Sequence, residues 1–346
     1  MRDGFDFNTR AGIILLIAAY MFYYVDVFLG LFLALALFSH TVPGFILSNY
    51  TKAVTVESYI ALDFALLGSL LYAVLVKTDI DIDMMLNLIC ACVVLTFVCL
   101  ALQKAQIDPY KALGMTSNMA PTGLMANCNE TSAFLAIGSA AFFRKYWCFL
   151  IPIVVIPALV ISGSLNGYLG FMAALTLYFS FKYKRILPIG IIVGVILVVI
   201  DTMRSDLSLN FRWYIWQKSV DLVFQNQPFL GFGLGNWKII DSAIMAEKAY
   251  VTATHWSNVH NSFIQGYIEM GAGFLILLAG YLTNLCVRIT KNQILSISAC
   301  GAIFLCMNTN SLFQMNIING VFVILWLAIL KKQQIKDIGN YGTTRS

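Results

Sequence analysis

A polar stripe stands at the start of a long apolar segment, residues 262–287. Its members, Asn261, Gln265 and Glu269, are spaced four residues apart, so they share one face if the segment is a helix. A carboxylate so near the start of a spanning helix is costly when it faces lipid. Ionisable groups at such depth usually face a bundle interior or a wet cavity. The stripe is therefore a candidate for chemistry, and the imidazole of His260 beside it can accept a proton near neutral pH.

Two further features precede the stripe. Arg212 stands among aromatic residues in a stretch with an amphipathic helical pattern. The glycine-rich turn, residues 228–235, has glycine at Gly231, Gly233 and Gly235 and brings backbone amides close to whatever lies beside it. Each feature also has a plainer interpretation, since Arg212 could anchor the chain at the membrane interface and the turn could be an ordinary loop.

The composition is that of a membrane protein. Of the 346 residues, 60% are hydrophobic and 11% are charged, whereas soluble domains average about 45–50% and about 25%. The net charge of +5 is small and lies in particular loops, so it does not favour binding to nucleic acid, which needs a basic face. We expect an all-α fold, a polytopic transmembrane helical bundle.

Apolar runs of about 20 residues predict about 10–11 spans. The candidate spans are 56–76, 84–103, 131–143, 147–163, 165–181, 186–201, 262–287, 294–310 and 316–330. The stretch 11–42 contains either one long helix or two short ones with a turn at residues 23–26. We find no internal repeat and expect a single transmembrane domain over residues 1–346, without a removable signal peptide.

Positive charges in short loops orient these spans. The clusters assigned to the cytoplasm are Arg144-Lys145, Lys182 to Arg185, Arg288 with Lys291, and Lys331, Lys332 and Lys336. The alternation then places two long segments outside, 104–130 and 202–260. Connections of this length are uncommon unless they are functional or disordered. The aromatic residues of 202–260 favour an ordered, partly helical extracytoplasmic loop.

Several classes of protein lack support in the sequence. No GxxxxGK[ST], HExxH or CxxC motif is present, so nothing favours ATP-driven transport or zinc hydrolysis. All cysteines except Cys128 fall in apolar runs, which suits packing residues rather than a disulfide framework or a metal cluster. We expect neither a metal nor a cofactor.

In their order and spacing, these segments resemble the O-antigen ligase and O-antigen polymerase superfamily of polytopic membrane glycan transferases. The resemblance runs from about Gly114 to Gly273. Its most specific part consists of three successive motifs: Arg212-x3-Trp216, then Pro228-x2-Gly231-x-Gly233-x-Gly235, then His260-Asn261-x3-Gln265-x3-Glu269-x-Gly271-x-Gly273.

A weaker similarity lies upstream, before a short predicted helix. The segment 123–129 looks like the family's Gly-x-x-x-Asn-Pro-Asn pattern. Asn127 and Asn129 occupy the asparagine positions, and Cys128 stands where proline is common. The resemblance therefore adds both asparagines to the predicted substrate-binding residues.

One family feature is absent. The segment 162–167 stands where members often carry Ser-Arg-Gly, and Leu165 occupies the apparent place of the arginine. If that arginine contacts phosphate in the family, then Arg204, Lys238 or Lys248 takes its place here, or the activity differs from the family's.

The resemblance implies a metal-independent, GT-C-like glycosyltransferase in a bacterial inner (plasma) membrane, with an extracytoplasmic active site. Such an enzyme moves an oligosaccharide or polysaccharide from an undecaprenyl-pyrophosphate carrier to a hydroxyl of a glycan, a lipid core or a protein. Direct displacement inverts the anomeric carbon. Ligase and polymerase are not separated by the sequence, because both need the same donor chemistry.

The chemistry of that reaction suits the residues that match the motifs. A departing pyrophosphate is anionic and is stabilised by a guanidinium, so we expect Arg212 to grip it, with Arg204 as a second clamp. The acceptor hydroxyl loses a proton as it attacks, and His260 is the expected general base. Glu269 and Asn261 are expected to orient the histidine or to hold an arginine.

The other predicted site residues extend along the same motifs. The substrate-binding set comprises Arg204, Gly231, Gly233, Gly235, Asn261, Gln265, Asn127 and Asn129. His255 is the competing candidate for the base, but no motif supports it.

A transporter or flippase of lipid-linked sugars is the second hypothesis, since such proteins also place polar groups near the middle of the bilayer. A non-catalytic membrane scaffold is the third, and it would leave the aligned arginine, histidine and glutamate without a task. Supplying the purified protein with donor and acceptor in detergent distinguishes these classes, because only an enzyme makes a new glycosidic bond.

Overall fold

The structure, a computed structural model, describes residues 7–46, 56–107, 121–125, 127–144, 146–181, 183–203, 207–237, 259–287, 290, 293–309 and 317–343. These residues form helices and connections and contain no β-strand. The all-α class is therefore confirmed. The helices in this part of the chain are α1 (Phe7–Tyr20), α2 (Val27–Ile46), α3 (Val56–Lys77), α4 (Ile82–Lys104), α5 (Cys128–Ser139), α6 (Ile156–Ser162), α7 (Leu165–Ser180), α8 (Ile186–Met203), α9 (Leu207–Asn226), α10 (Ser262–Val287), α11 (Ile294–Thr309) and α12 (Ile317–Thr343).

Several of these helices have the apolar composition of membrane spans. Within the described residues, Ile82–Lys104 and Ser262–Asn284 are long and apolar enough to cross a membrane. Apolar helices of 10–17 residues lie at Ile13–Val25, Val27–Ser39, Cys148–Ser162, Ile186–Ile196 and Ile294–Met307. The chain is an all-α membrane protein, and the total of ten or eleven crossings stays a prediction.

The stretch 11–42 contains two helices rather than one. After α1 the chain makes a π-helical turn at Met21–Val25 and then becomes extended at Asp26, with φ −156° and ψ 122°. The carboxylate of Asp26 accepts a hydrogen bond from the N–H of Phe28 at 3.0 Å, as an N-cap does. The interruption falls in the predicted turn, because the side chain of Asp26 offers the start of α2 a partner that an apolar residue lacks.

The chain divides into two compact units, which are described separately. The first consists of Met1–Lys77 with Leu207–Arg288, and the second of Thr78–Asp206 with Ile289–Ser346. In the described residues, the first unit holds α1–α3, α9 and α10, and the second holds α4–α8, α11 and α12. The predicted single transmembrane domain stays a prediction.

Two of the apolar clusters in the core of the first unit include residues of α10. One packs α1, α2, α3 and α10 together through Ile14, Ala36, Leu37, Leu62, Met270 and Phe274. The other packs α9, the glycine-rich turn and the start of α10 together through Ile215, Val223, Phe232, Trp237, Val259 and Ile268. The second cluster contains Val259 and Ile268, which lie close to the polar stripe in the chain.

Close approach of helix backbones organises the second unit, in which α7 packs against α5 and α11. A Cβ at Gly170 would lie 2.7 Å from the sulfur of Cys306 on α11 and 2.9 Å from the Cβ of Ala136 on α5. A Cβ at Gly167 would lie 2.5 Å from the Cβ of Ser132, also on α5. Small residues allow such contacts between helices in membranes. The start of α7 is therefore held firmly against α5.

Two of the basic clusters lie at the same end of the second unit. Arg144, which follows α5, pairs with Asp83 at the start of α4 at 3.2 Å. Lys332 on α12 donates to the carbonyl of Ile80, also beside the start of α4, at 3.0 Å. A common end for these clusters is what the charge rule predicts, and the cytoplasmic assignment itself stays a prediction.

We expect Gly167→Ala to lower the midpoint of thermal unfolding of the detergent-solubilised protein. The added methyl must displace Ser132, and overpacking of this kind costs about 1–3 kcal/mol. The matched control is Gly194→Ala on α8, where nothing lies within 4 Å of the added Cβ. The control should leave the midpoint unchanged or raise it, since alanine is the better helix former. Equal midpoints for the two variants would contradict the close contact between α5 and α7.

Candidate functional site

A side-chain hydrogen bond joins the helix of Arg212 to the residue before His260. Trp216 lies one turn after Arg212 on α9. Its ring N–H (Nε1) donates to the backbone carbonyl of Val259 at 2.7 Å. Val259 is buried in the apolar cluster at the start of α10. The structure thus brings the elements that carry Arg212 and His260 together within one unit.

The polar stripe faces the protein interior. Asn261, Gln265 and Glu269 are 6%, 4% and 2% exposed, respectively. The side-chain N–H of Gln265 (Nε2) donates to Oε1 of Glu269 at 2.7 Å. The carbonyl oxygen of the same side chain accepts from the N–H of Val259 at 3.1 Å. A continuous chain of hydrogen bonds therefore runs from Glu269 through Gln265 to Val259 and on to Trp216.

His260 stands at the start of α10 in a backbone conformation that is uncommon for residues other than glycine. Its φ is +56°, in the left-handed region, which costs an L-residue about 1–2 kcal/mol. The next residue, Asn261, is the N-cap, and its oxygen accepts from the N–H groups of Phe263 at 3.0 Å and Ile264 at 3.1 Å. The histidine is thus placed between two residues whose positions are fixed by hydrogen bonds.

The helix α10 is interrupted at Gly271, where φ is 63° and ψ is −160°. Beyond the interruption, two amides bond outside the helix: Ala272 donates to the carbonyl of Pro228 at 2.8 Å, and Gly273 donates to that of Phe229 at 3.2 Å. The acceptors belong to the glycine-rich turn. The turn therefore provides hydrogen-bond acceptors for two amides that have no partner within the helix.

The carbonyls on the other side of the interruption are satisfied in the same way. Ile268 accepts from the N–H of Phe232, and Glu269 accepts through its backbone oxygen from the N–H of Gly233, both at 2.8 Å. Two intrahelical hydrogen bonds, from Ala272 to Ile268 and from Gly273 to Glu269, are replaced in this way by four bonds to the turn. Irregular backbone at membrane depth is tolerated only where its polar groups are satisfied by protein or water, and this exchange meets that condition.

The glycines of the turn permit this close approach. Gly231 has φ +65°, and a Cβ there would lie 2.5 Å from the carbonyl oxygen of Ile268. Gly231 donates its amide to Gln227 at 3.0 Å, and the amide of Gly233 is used by the helix. In the structure, Gly231 and Gly233 therefore allow the turn to pack closely against α10. Binding of substrate by these two and by Gly235 stays a prediction.

The upstream asparagines build a polar junction in the second unit. Asn127 caps α5: its oxygen accepts from the N–H of Glu130 at 2.9 Å, and its N–H donates to the carboxylate of Glu130 at 2.8 Å. The oxygen of Asn129 accepts from the hydroxyl of Ser164, just before α7, at 2.6 Å. The junction lies at the opposite end of α5 from Arg144, which is the end predicted to be extracytoplasmic.

The structure describes the position that matches the family's arginine, but not the candidate replacements for that arginine. Leu165 is the first residue of α7. The candidates to replace the family's arginine, Arg204, Lys238 and Lys248, lie outside the described residues, as does His255. Among the described residues, no group of three or more His, Cys, Asp or Glu side chains could hold a metal ion.

Glu130 was missed by the sequence analysis, and the role of Trp216 was not predicted. Glu130 is a carboxylate only 3% exposed, and the spacing Asn127-x-x-Glu130 is that of a capping box, which is a signal that a sequence carries. Trp216 was interpreted as part of a motif, without its hydrogen bond to Val259. No local pattern indicates that bond, because 43 positions separate its partners.

Comparison with known proteins agrees with the placement of these motifs. Residues 148–279 match the family model described as O-antigen ligase. The matched range contains Arg212, the glycine-rich turn, His260 and Glu269, whereas Asn127 and Asn129 precede it. A search of the curated proteins found no match to the chain.

We expect Gly271→Ala to destabilise the first unit. Its φ and ψ lie in a region essentially restricted to glycine, where another residue costs about 1–3 kcal/mol. A Cβ there would also lie 2.2 Å from the carbonyl carbon of Phe229. The midpoint of thermal unfolding in detergent should fall, while the control Gly320→Ala, with nothing within 4 Å of its Cβ, should behave like the unaltered protein. An unchanged midpoint for Gly271→Ala would contradict the close packing of the turn against α10.

Proposed function

We propose that this chain, whose residues 148–279 match the O-antigen ligase family model, is a membrane glycan transferase of that superfamily with a specific reaction. It moves an oligosaccharide or polysaccharide from an undecaprenyl-pyrophosphate carrier to an acceptor hydroxyl. The acceptor belongs to a glycan, a lipid core or a protein. The reaction uses no metal ion and inverts the anomeric carbon.

The observation that carries this proposal is the hydrogen bond between Trp216 and Val259. It joins the helix that presents Arg212 to the residue preceding His260. A cation for a departing anion and a base for an attacking hydroxyl are the two groups that glycosyl transfer from a pyrophosphate needs. Their supporting elements adjoin in one unit, although Arg212 and His260 are 48 positions apart in the chain.

Arg212 stabilises the leaving group. As the bond between the anomeric carbon and the pyrophosphate oxygen breaks, negative charge grows on that oxygen. A guanidinium suits this task because its planar fork binds two phosphate oxygens and stays charged. Charge that is fixed in place before the reaction needs no reorganisation as the leaving group departs.

His260 acts on the acceptor. Its neutral imidazole takes the proton of the acceptor hydroxyl while the hydroxyl oxygen bonds to the anomeric carbon from the side opposite the pyrophosphate. This single displacement inverts the configuration of that carbon. The imidazolium that forms later returns its proton to solvent.

The proposed setting is a bacterial inner membrane that the chain crosses several times, with the site on the extracytoplasmic face. For the second unit alone, the charge rule supports an orientation with Asn127 and Asn129 outside. Its basic residues Arg144 and Lys332 share one end, while Asn127 and Asn129 lie at the other end of α5. The donor's lipid tail requires contact with the bilayer, and the proposed reaction involves no nucleic acid.

Transport of lipid-linked sugars is a second candidate function, and the interruption of α10 at Gly271 favours it specifically. Discontinuous helices are frequent at the binding sites of transporters. Formation of a glycosidic bond by the purified protein separates the two functions, because a transporter leaves its substrate chemically unchanged.

We expect His260→Ala to lower glycan transfer by about 10²–10⁴-fold, the usual contribution of a general base. The measurement uses purified protein in detergent with a lipid-pyrophosphate-linked glycan and an acceptor, and scores the new glycosidic bond. His40→Ala in α2 is the control and should retain transfer. Near-normal transfer by a correctly folded His260→Ala variant would remove His260 as the base, and loss of transfer in His255→Ala would then indicate the replacement.

Replacing Arg212 tests the leaving-group role separately. Arg212→Ala should lower kcat by about 10²–10³-fold, as removal of one group that stabilises developing charge does. Arg212→Lys keeps the charge but loses the fork, so it should recover only part of the rate. Initial rates at several donor concentrations measure both effects. Wild-type rates for Arg212→Ala at every donor concentration would contradict the assignment.

A further inference from the structure

We infer that Trp216 and Gln265 are positioning residues that hold His260 in its strained backbone conformation, and that Glu269 sets the orientation of Gln265. This inference rests on the proposed function of His260 as the general base. This constraint on the backbone of His260, called the hold below, is a property of the protein alone. It can therefore be measured without substrate.

The conformation of His260 requires an external constraint. A φ of +56° is uncommon for a residue with a Cβ and persists only where the surroundings impose it. Histidine adopts this conformation more often than most residues, but unlike glycine it carries a Cβ and incurs a steric cost there. The constraint must therefore come from residues on either side.

The constraint on the preceding side is the fixation of Val259. Its N–H donates to the side-chain oxygen of Gln265 at 3.1 Å, and its carbonyl accepts from Nε1 of Trp216 at 2.7 Å. Both polar backbone groups of this residue are thus held by side chains, and its own side chain is 1% exposed. The peptide that leads into His260 therefore has little freedom to rotate.

The orientation of Gln265 follows from its other partner. A carboxylate only accepts hydrogen bonds, so the NH₂ group of Gln265 must face Glu269, where Nε2 lies 2.7 Å from Oε1. The oxygen of Gln265 is then directed towards the N–H of Val259. Both side chains are at most 4% exposed, and water competes little for these bonds. Glu269 thereby acts on His260 through two intervening residues.

The helix α9 consequently acts on both of the proposed catalytic groups, the cation and the base. Trp216 is one turn from Arg212, so α9 carries the cation and also fixes the backbone before the base. Loss of the Trp216 bond frees the peptide before His260 and lets the imidazole leave its reactive position. A displacement of about 1 Å in a reacting group can cost about 100-fold in rate.

A spectroscopic experiment tests the hold directly. The chain has three histidines, so protein labelled with ¹⁵N only in histidine gives few signals, which His40→Ala and His255→Ala assign. We expect Trp216→Phe, which removes the N–H donor, and Gln265→Met, which removes both polar groups, to shift or broaden the His260 signals. Trp213→Phe is the matched control, because Trp213 is 68% exposed on the same helix and the substitution keeps an aromatic ring beside Trp216. Unchanged His260 signals in both variants would overturn the inference.

The transfer assay tests the consequence. Trp216→Phe should lower kcat by about 10–100-fold while the KM for the donor stays nearly constant, since the altered group acts through the base. Trp213→Phe should retain the wild-type rate. In a His260→Ala background, Trp216→Phe should cause no further loss, because the residue it positions is already absent.

The outcomes separate this inference from the proposed function. If His260→Ala transfers normally while Trp216→Phe still shifts the His260 signals, the hold stands and the role of His260 as base fails. If His260→Ala loses activity while Trp216→Phe transfers normally, the positioning role fails and the base remains. A further loss of activity from Trp216→Phe in the His260→Ala background would also contradict positioning through His260.

Discussion

The exchange of backbone hydrogen bonds between α10 and the glycine-rich turn is the constraint on which the first unit depends. A helix broken inside an apolar environment exposes amides and carbonyls that cost several kcal/mol each when unsatisfied. The turn accepts from Ala272 and Gly273 and donates to Ile268 and Glu269. The interruption at Gly271 and the glycines of the turn therefore require each other, and neither is stable without its partner.

Much of the fold follows from local chemistry and is readable in the sequence. The apolar run 262–287 coincides with α10, and the spacing of Asn261, Gln265 and Glu269 puts them on one buried face. Asp26, a polar residue in an apolar stretch, marks the end of one helix and caps the next. In each case the signal lies within a few residues of the feature it predicts.

The rest was not predictable because its partners are distant in the chain. Nothing near Gly271 reveals that α10 is interrupted, since a glycine in a long apolar run also suits a continuous helix. The bond from Trp216 to Val259 spans 43 positions, and no periodicity reports a contact of that separation. The candidate site was accordingly predicted as a set of residues, whereas its supporting hydrogen bonds became visible only in the structure.

The packing of the glycine-rich turn against α10 affects how the proposed site would recognise an anion such as a pyrophosphate. Many phosphate sites use a cradle of unengaged main-chain N–H groups, but Gly231 and Gly233 already donate theirs to carbonyls of this protein. Recognition that relies on guanidinium or ammonium groups instead is long-ranged and weakens as ionic strength rises. In the proposed site, selectivity would therefore depend on the cationic side chains rather than on the backbone beneath them.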